Sequence, residues 1–276
     1  LLNQPEIQAE YGVVWYEGLD VRGLDTALLY QTDYVEIITS EQRQGCTDLI
    51  DGLGPDGNQN IDHPENEMTC DLDGESGNEG NRLFSRPPLV VNASVCLNNC
   101  ERQSSEAVPL KTSQVEIWII VNHWKSTFED TDYHQFTLLR RIEQSQFVAD
   151  LFNEILSADP KANVIVLGDF NDYIDSFPIK LLEANGLSNL LINADRNNRY
   201  TYIYQGISQV LDHVLIRMDS SLKPTFISPV HINADFPYTY KSITDSAHRS
   251  SDHDPVLAAF NNYGQDQYLP LIFLKR

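Results

Sequence analysis

The chain is predicted to be an α/β protein, a sandwich of β-sheets with helices on the outside. Three observations predict this. Apolar runs of strand length recur from "YGVVWYEG" to "PVLAAF". Helical periodicity is confined to a few stretches, and no internal repeat is present. Many strands drawn from both halves of the chain, with few helices, bury their apolar faces best as packed sheets with helices outside.

In chain order, residues 11–38 read as two strands, "YGVVWYEG" and "TALLYQTDYVEII", joined through "LDVRGLD". From Gln44 to Asn81 there are ten acids and no Lys or Arg. Such a segment buries little apolar surface and reads as an inserted loop. "FSRPPLVVNASV" restarts regular structure, and "SQVEIWIIVNHWKS" is a strong strand ending at His123. Asp132 is placed to cap a helix from about Tyr133 to Ser157. Its Phe136, Leu139, Ile142, Phe147, Leu151 and Ile155 form a core-facing stripe. After the "DPKAN" turn, "VIVLGDF" is a strand and "FPIKLLEANG" a short helix closed by Gly186. "YTYIYQG" and "QVLDHVLIR" suggest a hairpin, and "PVLAAF" the last strand. This places one domain over residues 1–261, with an acidic insertion at about 44–82, and a tail over 262–276. The tail's "YLPLIFLKR" suits an export or attachment tag, or a packed terminal segment.

Lys plus Arg number 19 and Asp plus Glu 40, a net charge of −21. That excludes a broad basic face for nucleic acid. An acidic protein that acts on phosphates needs metal ions to bridge like charges; the acidity equally suits solubility in a secreted protein. No apolar run is long enough to span a bilayer. The chain opens on Leu1, not Met, and no signal peptide is present, so a preceding segment is expected to have been removed or left out. The four cysteines, Cys46, Cys70, Cys96 and Cys100, show no CxxC zinc spacing. Two disulfides in an exported protein fit them best. Of three pairings, Cys46–Cys70 with Cys96–Cys100 is simplest, because each closes a local loop. Within the insertion, "DLDGESGNE" offers Asp71, Asp73 and Glu75 as oxygen donors for Ca²⁺, against a plain solvated loop.

Four segments share one grammar, an apolar strand with polar residues at one end: "IIVNHWKS", "VIVLGDFND", "QVLDHVLI" and "SSDHDPVLAAF". If these strands share a rim, they gather His123, Lys125, Asp169, Asn171, Asp212, Asp252 and His253. Phosphodiester hydrolysis needs such a set. Hard carboxylate oxygens hold a divalent cation, a histidine activates water near neutral pH, and a carboxylate orients that histidine. A neutral amide holds water or phosphate without adding charge. Taken singly, each segment also reads as polar strand edging or a turn, as "SDHDP" does with Pro255 opening a strand. Their joint occurrence separates the two readings.

"NHWKS", "GDFND", "LDH" and "SDHDPV", in that order, resemble the endonuclease/exonuclease/phosphatase superfamily, with the fold of pancreatic-type deoxyribonuclease. "GDFNDYIDSFPIKLL", "YTYIYQGISQVLDHVLI" and "HINADFP" before "HRSSDHDPV" resemble its secreted bacterial extracellular nucleases. The likeness spans about Tyr11 to Phe260. It implies a four-layer α/β/β/α sandwich of two mostly antiparallel sheets. It also implies His253 as general base oriented by Asp212, Asp169 and Asn171 holding nucleophile, phosphate and metal, and Asp252 as a metal ligand. His123 would contact the scissile phosphate or assist the leaving group, Glu17 would pair with that histidine, and Lys125 would touch phosphate. Asp254 and His213 would be structural.

The family's opening strands, one with an Asn and one ending in a Gln-Glu pair, have no counterpart in Leu1–Glu10. The expectation is a domain lacking its first strands, which were cleaved, were left out or lie in a separate N-terminal fragment that completes it, and a chain weakly active or inactive alone. The implied function is a secreted, Mg²⁺- or Mn²⁺-dependent nuclease acting on DNA, with RNA as a further substrate. The alternatives are a secreted phosphatase or phospholipid phosphodiesterase on the same fold, or a non-catalytic extracellular structural protein.

Overall fold

The computed structural model describes residues 9–18, 25–49, 68–71, 79–96, 114–127, 130, 137–242, 246–262 and 265–273. In chain order the strands are β1 (Tyr11–Trp15), β2 (Ala27–Gln31), β3 (Val35–Gln42), β4 (Cys46–Thr47), β5 (Met68–Asp71), β6 (Glu79–Arg82), β7 (Leu89–Cys96) and β8 (Gln114–His123). Helix α1 (Leu138–Ala158), β9 (Asn163–Asp169), α2 (Phe177–Ala184) and β10 (Leu187–Asn189) follow. Then come β11 (Tyr202–Tyr204), β12 (Ile207–Gln209), β13 (Asp212–Arg217), β14 (Leu222–Pro229), β15 (Val256–Asn262) and β16 (Gln265–Phe273).

The main sheet has six strands in the order β10-β13-β9-β8-β7-β3. β8 and β9 are parallel, with α1 between them in the chain, and the other neighbours are antiparallel. β9 explains why its sequence is apolar without alternation. Both faces of this central strand are covered, and all seven of its residues are buried. Val164 and Val166 face α1 and α2, packing with Val148, Phe152, Ile179 and Leu182. Ile165 and Leu167 face the other way, packing with Val121, Val214, Val256, Ala258 and Phe260. The second face therefore meets the sheet β14-β15-β16. Helices, six-stranded sheet and smaller sheet form successive layers of the mixed α/β sandwich. Among the described residues both α-helices lie on the outer face of the main sheet. β16, drawn from the tail, pairs antiparallel with β15.

Four details differ from the sequence reading. "TALLYQTDYVEII" breaks into two strands, because the Tyr34 amide turns back onto the Gln31 carbonyl. β2 then pairs with β1, and β3 joins the main sheet. "YTYIYQG" pairs with "ISQ" across Gln205 and Gly206, both at positive φ as a tight hairpin requires. "DHVLIR" leaves that hairpin to pair with β9. Helix α1 starts at Leu138, and Asp132 lies outside the described residues. Thr137 is instead held by Asp130, which accepts from its amide at 2.8 Å and its hydroxyl at 2.9 Å.

The fourth detail is the inner face of α1. Leu139 is 60% exposed, while Arg140, Arg141, Gln144 and Ser145 are buried. Burial of these polar groups is sustained by complete pairing. Arg140 donates to the Arg82 and Leu49 carbonyls, Gln144 to the Leu83 carbonyl and Ser145 to the Pro178 carbonyl. The first half of α1 thus fastens loops, and its second half packs the core through Val148, Leu151, Phe152 and Ile155.

Cys46 and Cys70 form a disulfide that joins β4 to β5. Cys96 is also disulfide-bonded; Cys100, its expected partner, lies outside the described residues. So do Asp73 and Glu75 of the proposed calcium loop, and Asp71 is described only as a backbone position ending β5.

Candidate active site

Three strand ends meet at one rim of the main sheet. β8 and β9 are parallel and both exit there, at His123 and Asp169, which are paired in register. β13 runs the other way and enters there at Asp212, paired with Asp169. This arrangement needs a close approach of β8 and β9. Gly168 sits opposite Asn122 with φ at 137°, and a Cβ at Gly168 would lie 2.0 Å from the Asn122 carbonyl oxygen. Only glycine fits. The fully buried Asn122 side chain donates to the Ile120 carbonyl at 3.0 Å and accepts from the Trp124 indole at 3.2 Å. The Trp124 amide then donates to the Asp169 carbonyl at 2.9 Å, binding the two exits together.

His253 reaches the rim from the second sheet. Thr201 makes the crossing. Its hydroxyl accepts from the amides of Leu211 and Asp212, and its carbonyl accepts from the amide of Asp254 at 2.7 Å. Tyr202 bridges His253 backbone to backbone, and its ring lies 4.5 Å from the imidazole. Asn233 donates its side-chain amide to the His253 carbonyl at 2.7 Å. Both oxygens of Asp254 are engaged by the neighbouring loop. One carboxylate oxygen accepts the amides of Asn233 and Ala234, and the other meets His231 Nδ1 at 2.7 Å.

At the centre, His253 Nδ1 lies 2.6 Å from Asp212 Oδ2. A carboxylate only accepts, so Nδ1 carries the proton and Nε2 is the basic nitrogen. His253 Nε2 lies 3.9 Å from Asp169 Oδ2, and His123 Nε2 lies 3.5 Å from the same oxygen. Both separations exceed a direct hydrogen bond; they suit groups that share a ligand. The other Asp169 oxygen accepts the Asn171 amide at 2.9 Å, a turn that holds Asn171 at φ 48°. Asn171 Nδ2 donates to the Trp124 carbonyl at 3.0 Å. Among the described residues its second N–H and its amide oxygen make no further hydrogen bond, which leaves them for a ligand.

The ligand atoms of Asp169, Asp212 and His253 lie within 4.8 Å of one another, and all three residues are buried. Two buried carboxylates beside an imidazole form a site that suits a cation. Lys125 is also buried, its amide donating to Gln144 Oε1 at 2.9 Å. Two predicted residues are not drawn into the cluster. Asp252 adjoins His253 but is exposed, in the bend that precedes it. Glu17 is exposed beyond β1 and makes no contact with His123 among the described residues. β1 pairs with β2 in a separate two-stranded sheet.

Sequence reasoning missed the support behind Asn171. Arg141, buried on α1, donates from Nε to Asp172 Oδ2 at 2.9 Å, from Nη2 to Asp130 Oδ2 at 3.2 Å, and from Nη1 to the Thr137 hydroxyl. The Asp172 carbonyl accepts from His213 Nε2 at 2.9 Å, and His213 Nδ1 in turn accepts from Asn189 at 3.0 Å. Burial pushes the His213 imidazole below its ordinary range, so it remains the neutral tautomer these bonds require. The available signal was "LLRR", which places arginines where an amphipathic helix would put apolar residues.

The model of the Endonuclease/Exonuclease/phosphatase family matches residues 17–253. The chain belongs to that family. Solved members share its fold at low identity. A mannosyl-6-phosphatase from Bacteroides thetaiotaomicron VPI-5482 aligns at 14% identity and TM-score 0.50, over 91% of this chain and 77% of that one. Truncated TDP2 from Caenorhabditis elegans aligns at 14% and 0.50, over 92% and 77%. A family protein from Bacteroides vulgatus aligns at 13% and 0.50, over 92% and 77%. The chain matches no curated protein sequence. The family's name spans endonucleases, exonucleases and phosphatases, which all hydrolyse phosphate esters. No helix among the described residues is long and apolar enough to cross a membrane.

Proposed function

We propose that this family member is a metal-dependent phosphodiesterase, an extracellular nuclease that hydrolyses DNA and accepts RNA. One observation carries the reading: His253 has Nδ1 bound to buried Asp212 and Nε2 turned toward Asp169. In that state Nε2 takes a proton from water as the water oxygen attacks phosphorus. Asp212 holds the tautomer and stabilises the imidazolium that forms. The bond from phosphorus to the leaving oxygen breaks, and His123, on the far side of Asp169, donates to a phosphate oxygen or to the departing one. Asn171 holds the water or phosphate through its available N–H.

Asp212 is committed to His253, so Asp169 and Asn171 are the donors that would hold Mg²⁺ or Mn²⁺, without Asp252, which is exposed outside the cluster. A bound ion of this kind supplies charge neutralisation at the phosphate. Lys125, two residues beyond His123 in the chain, is the cation this reading assigns to phosphate. The Cys46–Cys70 disulfide supports an oxidising, extracellular setting.

Plasmid nicking tests the reading, with the chain, Asp169→Ala and His253→Ala compared in Mg²⁺ and in EDTA. The chain is expected to nick weakly in Mg²⁺ and not in EDTA, and each variant to be slower again, by about 100-fold or more. Equal nicking by all three would remove the site assignment. Phosphate release from a monoester without nicking would make the protein a phosphatase.

A further inference from the structure

Three tyrosines alternate along the approach to β11 and through it: Tyr200, Tyr202 and Tyr204. Alternate residues of an extended chain share a face, and each of these rings meets another ring. Tyr200 stacks on His231, with centroids 4.2 Å apart and planes at 17°. Tyr202 lies against His253 at 4.5 Å and 30°. Tyr204 lies 6.4 Å from Tyr202 and within 12° of parallel. Thr201, between the first two, is buried and bonds Asp212 and Leu211, so the ladder is fixed to the same backbone that positions the His253–Asp212 pair. The ladder's outer end is open, with Tyr204 48% exposed.

We infer that Tyr202 and Tyr204 form a stacking platform for unpaired nucleobases, running outward from a phosphodiester held at His253. The inference rests on the nuclease reading and names its substrate class as single-stranded nucleic acid. Three physical points select this occupant. The platform starts on the residue that would handle the phosphodiester, so the group it meets is the nucleoside beside the scissile phosphate. Every nucleobase has a π-face, and near-parallel aromatic rings take bases without regard to sequence. In a duplex those faces are already stacked on neighbouring bases, and a side chain reaches them only in single strands or flipped nucleotides. The net charge of −21 adds a reason. A chain without a broad basic face holds a polyanion poorly by phosphate contacts alone, and stacking is the uncharged alternative.

Fluorescence anisotropy in EDTA, where no cleavage is expected, tests the platform. The probes are a labelled oligothymidylate and a labelled hairpin duplex; the proteins are the full chain, Tyr204→Ala and Tyr204→Phe. The exposed position makes both variants fold-neutral. The chain is expected to prefer the single strand. Tyr204→Ala should weaken that binding by about tenfold and leave duplex binding unchanged, while Tyr204→Phe retains it. Equal single-strand binding by the chain and Tyr204→Ala, or a preference for duplex, overturns the platform. Nicking of plasmid alongside such equal binding would remove the platform alone. A Tyr204-dependent preference for single strands without any cleavage would keep the platform and remove the phosphodiesterase reading.

Discussion

His253 Nδ1 and Asp212 Oδ2 lie 2.6 Å apart although 41 residues separate them in the chain, and both residues are buried. A pair so short and so enclosed sets the state of the imidazole. Asp212→Asn keeps the size of the side chain but removes the charge that stabilises an imidazolium. The expected outcome is a loss of kcat by a factor on the order of 10² to 10⁴, with little change in thermal stability. Steady-state cleavage of a labelled oligonucleotide measures it. A rate within about threefold of the parent would exclude His253 as the base.

The pH dependence of stability should carry the signature of His213. Burial depresses its folded-state pKa below the ordinary imidazole value of about 6.5. Between the two values the unfolded chain binds more protons than the folded one, so stability rises with pH there. The contribution is complete above about pH 6.5 and is lost as pH falls toward the folded pKa. Urea midpoints measured at neutral and mildly acid pH should fall for the parent. His213→Gln, which retains a donor and an acceptor, should flatten that slope even if it lowers the midpoint throughout. An unchanged slope would assign the acid sensitivity to other groups.

Gly168→Ala places a Cβ 2.0 Å from a backbone oxygen in the centre of the sheet, at a φ of 137°. Neither strand can move without separating His123 from Asp169. The expected destabilisation is about 3 kcal/mol or more, read by urea unfolding or as failure to yield soluble protein. Gly206→Ala is the contrast. Its Cβ meets nothing within 4 Å, although φ is 78°, and its cost should be about 1 kcal/mol.

Arg141 and Asp172 form a buried ion pair. Arg141 also pairs with Asp130 at 3.2 Å, so Arg141→Met strands two carboxylates and should cost about 3–5 kcal/mol, whereas Asp172→Asn leaves Arg141 its second partner and should cost less. Arg141→Met/Asp172→Asn should cost clearly less than the sum, because the second change relieves the first. Additive costs would mean that the two side chains are not coupled. Asn171 adjoins Asp172, so the single variants should also lose activity at temperatures where they remain folded.

Much of the site was legible because its residues sit where apolar runs stop. "IIVNH", "VIVLGD" and "LDHVLI" mark strand ends by composition alone, and parallel and antiparallel pairing then brings His123, Asp169 and Asp212 to one rim. The polar face of α1 was not legible. Helical periodicity reports which side of a helix is apolar, and Arg140, Arg141, Gln144 and Ser145 are buried for their hydrogen bonds. The split of the expected hairpin was equally hidden. "YTYIYQGISQVLDHVLIR" has continuous strand propensity, and the choice of partner for its last segment lies in β9.

By itself the sequence determined the α/β class, the apolar strand "VIVLGDF", the strand-end residues and the simplest partner for Cys46, because local composition and spacing express those properties. Only the tertiary structure decided that His253 crosses from the second sheet onto Asp212, that Glu17 and Asp252 stand outside the buried cluster, and that Arg141 braces Asp172. These are contacts between distant segments, and their energies depend on burial and distance, which appear only when the two sheets pack.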